Sequence, residues 1–166
     1  MFRSTFLMAL FLLVGCNGIS QKETKKMAEK KAKTKTFKIN KSNAEWRSEL
    51  TDQEFYVLRK AATESPFTSD LLDNKEPGTY VCAGCGTPLF KSKHKFDSGT
   101  GWPSFYQEIE GNVGYDVDHK AGYARTEEHC GTCGGHLGHV FDDGPKPTGK
   151  RHCINGVALN FIPDNQ

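Results

Sequence analysis

An apolar run from Phe6 to Val14 is followed by a stretch, 17 to 41, in which Lys recurs and no apolar period is sustained. Such a stretch buries too little surface to offset the entropy of ordering it, so residues 16–41 are expected to form a flexible tether. Regular patterning begins at 42. Ser42-x-x-Glu45 precedes Trp46, and Thr51-x-x-Glu54 precedes Phe55, Val57 and Leu58. Each is a capping box, in which hydroxyl and carboxylate satisfy backbone N–H groups that a helix start leaves unpaired. The spacing predicts short helices within 43–49 and 52–62, the second closed before Ser65-Pro66 because proline disfavours helix in its predecessor. After that the pattern becomes one of short runs between glycines. Thr79-Tyr80-Val81, Gly114-Tyr115-Asp116-Val117-Asp118 and Val157-Ala158-Leu159-Asn160-Phe161 read as strands between turns, and 15 of the 17 Gly fall between Gly78 and Gly156. The expectation is a small antiparallel β domain over 42–166, preceded by helices.

Composition narrows this little. With 166 residues, 36% hydrophobic and 25% charged, the chain suits one globular domain with appendages and not two large ones. Charge tells more by its distribution. Residues 22–41 hold nine Lys against two Glu, so that, with Arg3 adding one charge to an overall +2, residues 42–166 carry −6. The domain therefore lacks the basic surface of a nucleic-acid binder. The glycine-rich loops also lack the G-x-x-x-x-G-K-[ST] pattern that cradles phosphate.

Arg3 followed by the apolar run has the form of an export signal over 1–15. The run is shorter than the roughly 20 residues a helix needs to span a bilayer. It closes on Leu13-Val14-Gly15-Cys16, which resembles the lipobox of bacterial lipoprotein signals, where cleavage precedes the Cys and acyl chains are joined to it. Cys16 is thus the expected lipid attachment site, holding an exported domain at the cell envelope; the alternative is an ordinary signal peptide with an incidental Cys. The tether's Lys would touch anionic head groups or act only as a solvated spacer.

The six cysteines carry most of the chemistry. Cys82-Ala83-Gly84-Cys85-Gly86 and Cys130-Gly131-Thr132-Cys133-Gly134 are two Cys-x-x-Cys turns with the same trailing Gly. Four thiolates so spaced suit one tetrahedral zinc, with no open position and hence a structural role. Disulfides are the competing reading in an oxidising compartment. Cys153 is left over, in Arg151-His152-Cys153-Ile154-Asn155. Cationic and hydrogen-bonding neighbours are the setting that lowers a thiol pKa and makes a nucleophile; a buried, inert Cys is the other reading.

From about Trp46 to Pro163 the chain resembles methionine sulfoxide reductase of type B. The resemblance rests on Thr63-Glu64-Ser65-Pro66-Phe67-Thr68, Leu72-Asp73-Asn74, Phe96-Asp97-Ser98-Gly99-Thr100-Gly101-Trp102-Pro103-Ser104-Phe105, Arg125-Thr126-Glu127, Gly135-His136-Leu137-Gly138-His139-Val140-Phe141, Asp143-Gly144-Pro145 and the Cys153 motif. It implies a mainly β fold of two facing antiparallel sheets, with the zinc knuckles remote from the active site. It also implies reduction of the R epimer of methionine sulfoxide, free or in proteins, with Cys153 becoming a sulfenic acid. By position, His139 is the expected acid with His136 beside it, and Asp143 is expected to orient the pair. Asn155 and Arg151 are expected to hold a water, the oxygen or the thiolate, while Trp102 and Phe105 would wall the substrate methyl. His94, His119 and His129 match nothing and are expected at the surface.

Two departures bear on mechanism. Many members of that family carry a resolving Cys where this chain has Thr100, so an external thiol, thioredoxin-like or small, is expected to regenerate Cys153. Tyr often stands where His152 does, and Ser where Gly156 does. Two other function classes remain open: a zinc-ribbon binding module with an inert Cys153, and an oxidoreductase using the Cys-x-x-Cys pairs themselves. Without heptads or a wide apolar stripe, a monomer is the default expectation.

Overall fold

In a computed structural model of the chain, residues 36–164 are described; the expected signal peptide, Cys16 and the tether up to 35 lie outside the described residues. Both capping boxes form. Ser42 and Thr51 hydroxyls accept from the Glu45 and Glu54 amides, and the two Glu carboxylates reach back to the cap backbone. They open α1 (Asn43–Glu49) and α2 (Asp52–Lys60), and α2 ends at Ala61 in a left-handed conformation. No helix among the described residues is long and apolar enough to cross a membrane.

Nine strands follow: β1 (Gly78–Cys82), β2 (Pro88–Lys91), β3 (Lys95–Phe96), β4 (Ser104–Phe105), β5 (Val113–Asp118), β6 (Arg125–Cys130), β7 (His136–Phe141), β8 (Arg151–Ile154) and β9 (Leu159–Pro163). They form two antiparallel sheets, of order β2-β1-β9 and β3-β4-β8-β7-β6-β5. The sheets meet through aromatics: Phe90 of β2 stacks on Phe105 of β4 at 4.4 Å, and Tyr80 of β1 meets Phe105 edge-on at 4.9 Å. Trp46, Phe55, Leu58, Leu89, Leu137 and Ile154 complete one buried core. A mainly β fold with two short helices agrees with the sequence reading.

Three details differ from expectation. The end of the presumed tether packs on the domain: Phe37 meets the His129 ring at 5.4 Å, and the Ile39 amide donates to the Thr132 carbonyl at 3.0 Å. Both are apolar residues at the end of the Lys-rich stretch, with surface to bury. His129, expected outside, is consequently buried, its Nε2 3.3 Å from Asp116. The strand expected from Val157 starts at Leu159, because Gly156–Ala158 form a 3-10 turn. The buried Glu64 carboxylate accepts both the Gly156 and Val157 amides, which curls the chain before it can extend.

Candidate active site

Cys153 lies in mid-sheet on β8, paired across to His139 of β7 on one side and Ser104 of β4 on the other. Residues directly opposite in an antiparallel pair project from the same face, so imidazole, thiol and hydroxyl share one side. Gly138 makes that approach possible. A Cβ there would sit 2.0 Å from the Cys153 carbonyl oxygen, so only glycine lets β7 lie against β8 at this point. Pairing also places Glu127 of β6 beside His139, and Asp118 beside Arg125.

These acids hold the histidines. His139 Nε2 donates to Asp118 Oδ2 at 2.9 Å, and His136 Nδ1 lies 2.6 Å from Glu127 Oε1. The two rings are 5.5 Å apart and edge-to-face. Asp118 is held well below the usual carboxylate range by the Lys120 amide, then by His139 and by Arg125 at 2.6 Å. Glu127 is lowered by its bond to His136. Burial pushes His139 down from 6.5, with Asp118 opposing it. An ionised Asp118 fixes the tautomer, so the proton sits on Nε2 and Nδ1 receives the next one. Asp118 and Glu127 went unassigned in the sequence reading. Glu127 stands in a quoted motif, whereas nothing local marks Asp118.

The expected orienting acid sits elsewhere. Asp143 binds Arg151 in a two-point pair, Nε to Oδ1 and Nη2 to Oδ2 at 2.8 Å each, and does not reach the histidines. The register puts Arg151 opposite Phe141, and its guanidinium rests over that ring at 4.4 Å. Asp143 follows the strand's end and therefore meets β8's first residue instead of mid-sheet. Asn155 is likewise committed: its Nδ2 donates to the Leu137 carbonyl at 2.8 Å, and its Oδ1 accepts the Glu64 amide at 2.9 Å. It ties the 62–69 segment to β7 and has no free amide for a thiolate. Phe105 faces away from the site into the core with no exposure, so it cannot wall a substrate. Trp102 stays half-buried, its indole N–H donating to the Glu64 carbonyl at 3.2 Å.

Cys153 itself does not behave as its neighbours in sequence suggested. Burial pushes its thiol above 9.0, while the Thr100 hydroxyl at 3.9 Å and Arg151 draw it back. His152, next in the chain, points through the sheet to the opposite side. Its Nδ1 is 2.6 Å from the buried Glu128 and its Nε2 is 3.2 Å from Glu108.

The other four described cysteines gather where β1 of the smaller sheet and β6 of the larger one end, in the turns that follow them. Cys82, Cys85, Cys130 and Cys133 place their sulfurs within 4.8 Å of one another. Cys82 and Cys133 are 3.7 Å apart, Cys85 and Cys130 3.5 Å. A tetrahedron with metal–sulfur bonds of about 2.3 Å has edges of about 3.8 Å, so the four fit one ion. None of the described cysteines is in a disulfide, and these separations far exceed the ~2.05 Å of an S–S bond.

Two antiparallel sheets, four cysteines positioned to bind one metal ion and a thiol opposite a histidine define a mainly β, metal-binding class of protein with a candidate nucleophile. A family profile described as the SelR domain matches residues 50–163. The chain is 52% identical over 126 residues to a peptide methionine sulfoxide reductase MsrB of Leptospira interrogans, covering 75% of this chain and 96% of that protein. It is 51% identical over 138 residues to the MsrB of Bradyrhizobium diazoefficiens, covering 82% and 99%, and 53% over 128 residues to that of Methanosarcina mazei, covering 76% and 91%. The chain belongs to the SelR-domain family of type B peptide methionine sulfoxide reductases.

Proposed function

We propose that this protein reduces the R epimer of methionine sulfoxide, free or in proteins, with Cys153 as nucleophile. The observation that carries the reading is the register itself, which sets one unpaired thiol directly opposite a carboxylate-held histidine on a single sheet face. The Cys153 thiolate attacks the sulfoxide sulfur, and the sulfoxide oxygen takes a proton from imidazolium His139. Two electrons pass from Cys153 to the substrate, the oxygen stays on Cys153 as a sulfenic acid, and the thioether leaves. Two external thiols then restore Cys153, releasing one water and one disulfide. Asp118 holds the imidazole and returns it to the Nε2–H tautomer. Glu127 and His136 fill the space behind it. Trp102 offers the aromatic surface that sulfur and methyl groups favour.

In this reading the metal is zinc, held by Cys82, Cys85, Cys130 and Cys133, and it supplies folding energy and no step of the reaction. Export, acylation at Cys16 and a monomeric state belong to the same proposal, and oxidised methionine in envelope proteins would be the substrate.

The test is dithiothreitol-driven turnover of the two separated epimers of a methionine sulfoxide peptide by the metal-loaded chain and by Cys153→Ser. Turnover of the R epimer alone, lost in the variant, is expected. Turnover of the S epimer, or activity surviving in the variant, would overturn it.

A further inference from the structure

Three hydroxyls run in line away from the Cys153 sulfur. Thr100 Oγ1 is 3.9 Å from Sγ, Ser98 Oγ is 2.8 Å from Thr100 Oγ1, and Ser104 Oγ is 2.8 Å from Ser98 Oγ. Ser104, the fully buried cross-strand neighbour of Cys153, ends the line on the Trp102 carbonyl at 3.1 Å. That last partner sets the direction of every bond. A carbonyl only accepts, and each hydroxyl has one proton to give, so Ser104 donates to Trp102. Ser98 then donates to Ser104, Thr100 to Ser98, and the thiol to Thr100.

Ionisation of the thiol reverses the first link and breaks the second, leaving the rest in place. A thiolate accepts and cannot donate, so the Thr100 hydroxyl rotates and gives its proton to sulfur. Ser98 loses that donor but keeps another, since the Thr100 backbone N–H already points at Ser98 Oγ at 3.4 Å. No hydroxyl is stranded in either state, and buried hydroxyls that would be stranded are costly. The turn that permits this depends on Gly101, where φ is +86° and a Cβ would meet Pro66 and Phe67 below 3.0 Å.

We propose that the Thr100 hydroxyl, held by Ser98 and Ser104, is the switching hydrogen-bond partner of the Cys153 sulfur: it accepts from the thiol, donates to the thiolate, and thereby sets the reactive fraction. Thr100 is then a catalytic residue, touching the reacting atom, while Ser98 and Ser104 are positioning residues acting through it. The other charged or titratable groups that face Cys153 are Arg151 on its own strand, His139 on β7 with Asp118 behind it, and Glu127 on β6; Glu128 raises the thiol from the opposite side of the sheet. Of these, Arg151 also hydrogen-bonds the sulfur, but a guanidinium only donates, so it cannot change direction when the thiol ionises. The role in catalysis rests on the function proposed above, but the effect on the thiol does not.

The experiment measures iodoacetamide alkylation of Cys153 against pH in the full, metal-loaded chain, read by mass spectrometry of the Cys153 peptide. Thr100→Val, Thr100→Ser and Ser98→Ala are compared with the parent, and circular dichroism and melting confirm the fold. In Thr100→Val the inflection is expected to rise by about one unit, which is about a tenfold slower alkylation at pH 7. Thr100→Ser is expected within about twofold of the parent, and Ser98→Ala between the two. Should Thr100→Val fail to fold, Thr100→Ala replaces it with the same expectation. An unchanged inflection without the hydroxyl, or a Thr100→Ser shift as large as that of Thr100→Val, would overturn the proposal. Methionine sulfoxide turnover is assayed on the same samples. An expected alkylation shift in a parent without turnover removes the proposed function and leaves the hydroxyl switch standing.

Discussion

Two kinds of cysteine occupy this domain, and they differ in what surrounds the sulfur. In the four-cysteine cluster, each thiol has other sulfurs as neighbours, 3.5 to 3.7 Å away in the closest pairs. At Cys153 the neighbours are a hydroxyl, an imidazole and a guanidinium. Four sulfurs alone can satisfy a soft metal and nothing else is needed. One sulfur among proton donors has charge stabilised without being consumed, and it stays available to attack. The backbone contributes too. The cluster rests on two tight turns, closed by the Gly86 and Gly134 amides on the Cys82 and Cys130 carbonyls, whereas Cys153 is fixed by strands on both sides. Motion at the first would release a metal; at the second it would misalign a proton transfer.

The sharpest way to break the contrast is to remove a sulfur from each side. Cys130→Ser is expected to cost the fold, since structural metal binding is folding energy. Melting should fall by roughly 15 °C or more, with one equivalent of metal lost on elemental measurement. Cys153→Ser is expected to leave melting and metal content unchanged while turnover falls by roughly 10³-fold or more. A cluster variant that melts like the parent would show that the knuckles do not clamp the sheet.

The contrast sharpens further through pH. Burial raises the Cys153 thiol above 9.0 and lowers His139 below 6.5, so thiolate with imidazolium is a minority state at every pH. Its population rises as pH climbs through the His139 pKa, is level between the two, and falls beyond the Cys153 pKa. A bell-shaped kcat/KM is expected, with its falling limb above pH 9. His139→Gln removes the acid, and kcat/KM is expected to drop about 10²- to 10⁴-fold. Its profile should then rise where the parent's is level and flatten where the parent's falls, because only the thiolate still titrates.

Smaller effects come from the acids. Asp118 has its carboxyl depressed in the folded state, so it contributes stability above its ordinary value of 3.8 that is lost as pH falls below it. Asp118→Asn should therefore flatten the acid side of a stability-versus-pH curve, and slow turnover about tenfold by loosening His139. Asp143→Asn is expected to change kcat/KM by no more than about threefold, since its exposed carboxylate holds Arg151 and touches no histidine. A loss as large as that of Asp118→Asn would return Asp143 to the role its motif suggested.

Much of this was legible before any fold was known, and for a shared reason. Both helices, both capping boxes and both Cys-x-x-Cys turns are built from contacts within three or four residues, so spacing alone encodes them. Cys153 stood out because the other domain cysteines were already paired off. The helpers were read less well. Phe105 follows Ser104 in the chain, yet adjacent residues on a strand face opposite ways, and one enters the core while the other lines the site. Asn155 looked poised for the thiol from two positions away, but its amide is spent on Leu137 and Glu64.

The sequence by itself determined most of the elements, the four clustered cysteines and the choice of Cys153 as candidate nucleophile, because each is marked by local pattern or by residue chemistry. Tertiary structure alone decided the partnerships. Asp118 with His139, Thr100 with Cys153, and Glu64 with Gly156 join residues 21, 53 and 92 positions apart. Strand register and a buried carboxylate bring them together, and such long-range pairings depend on packing over the whole sheet, which no short stretch of the chain contains.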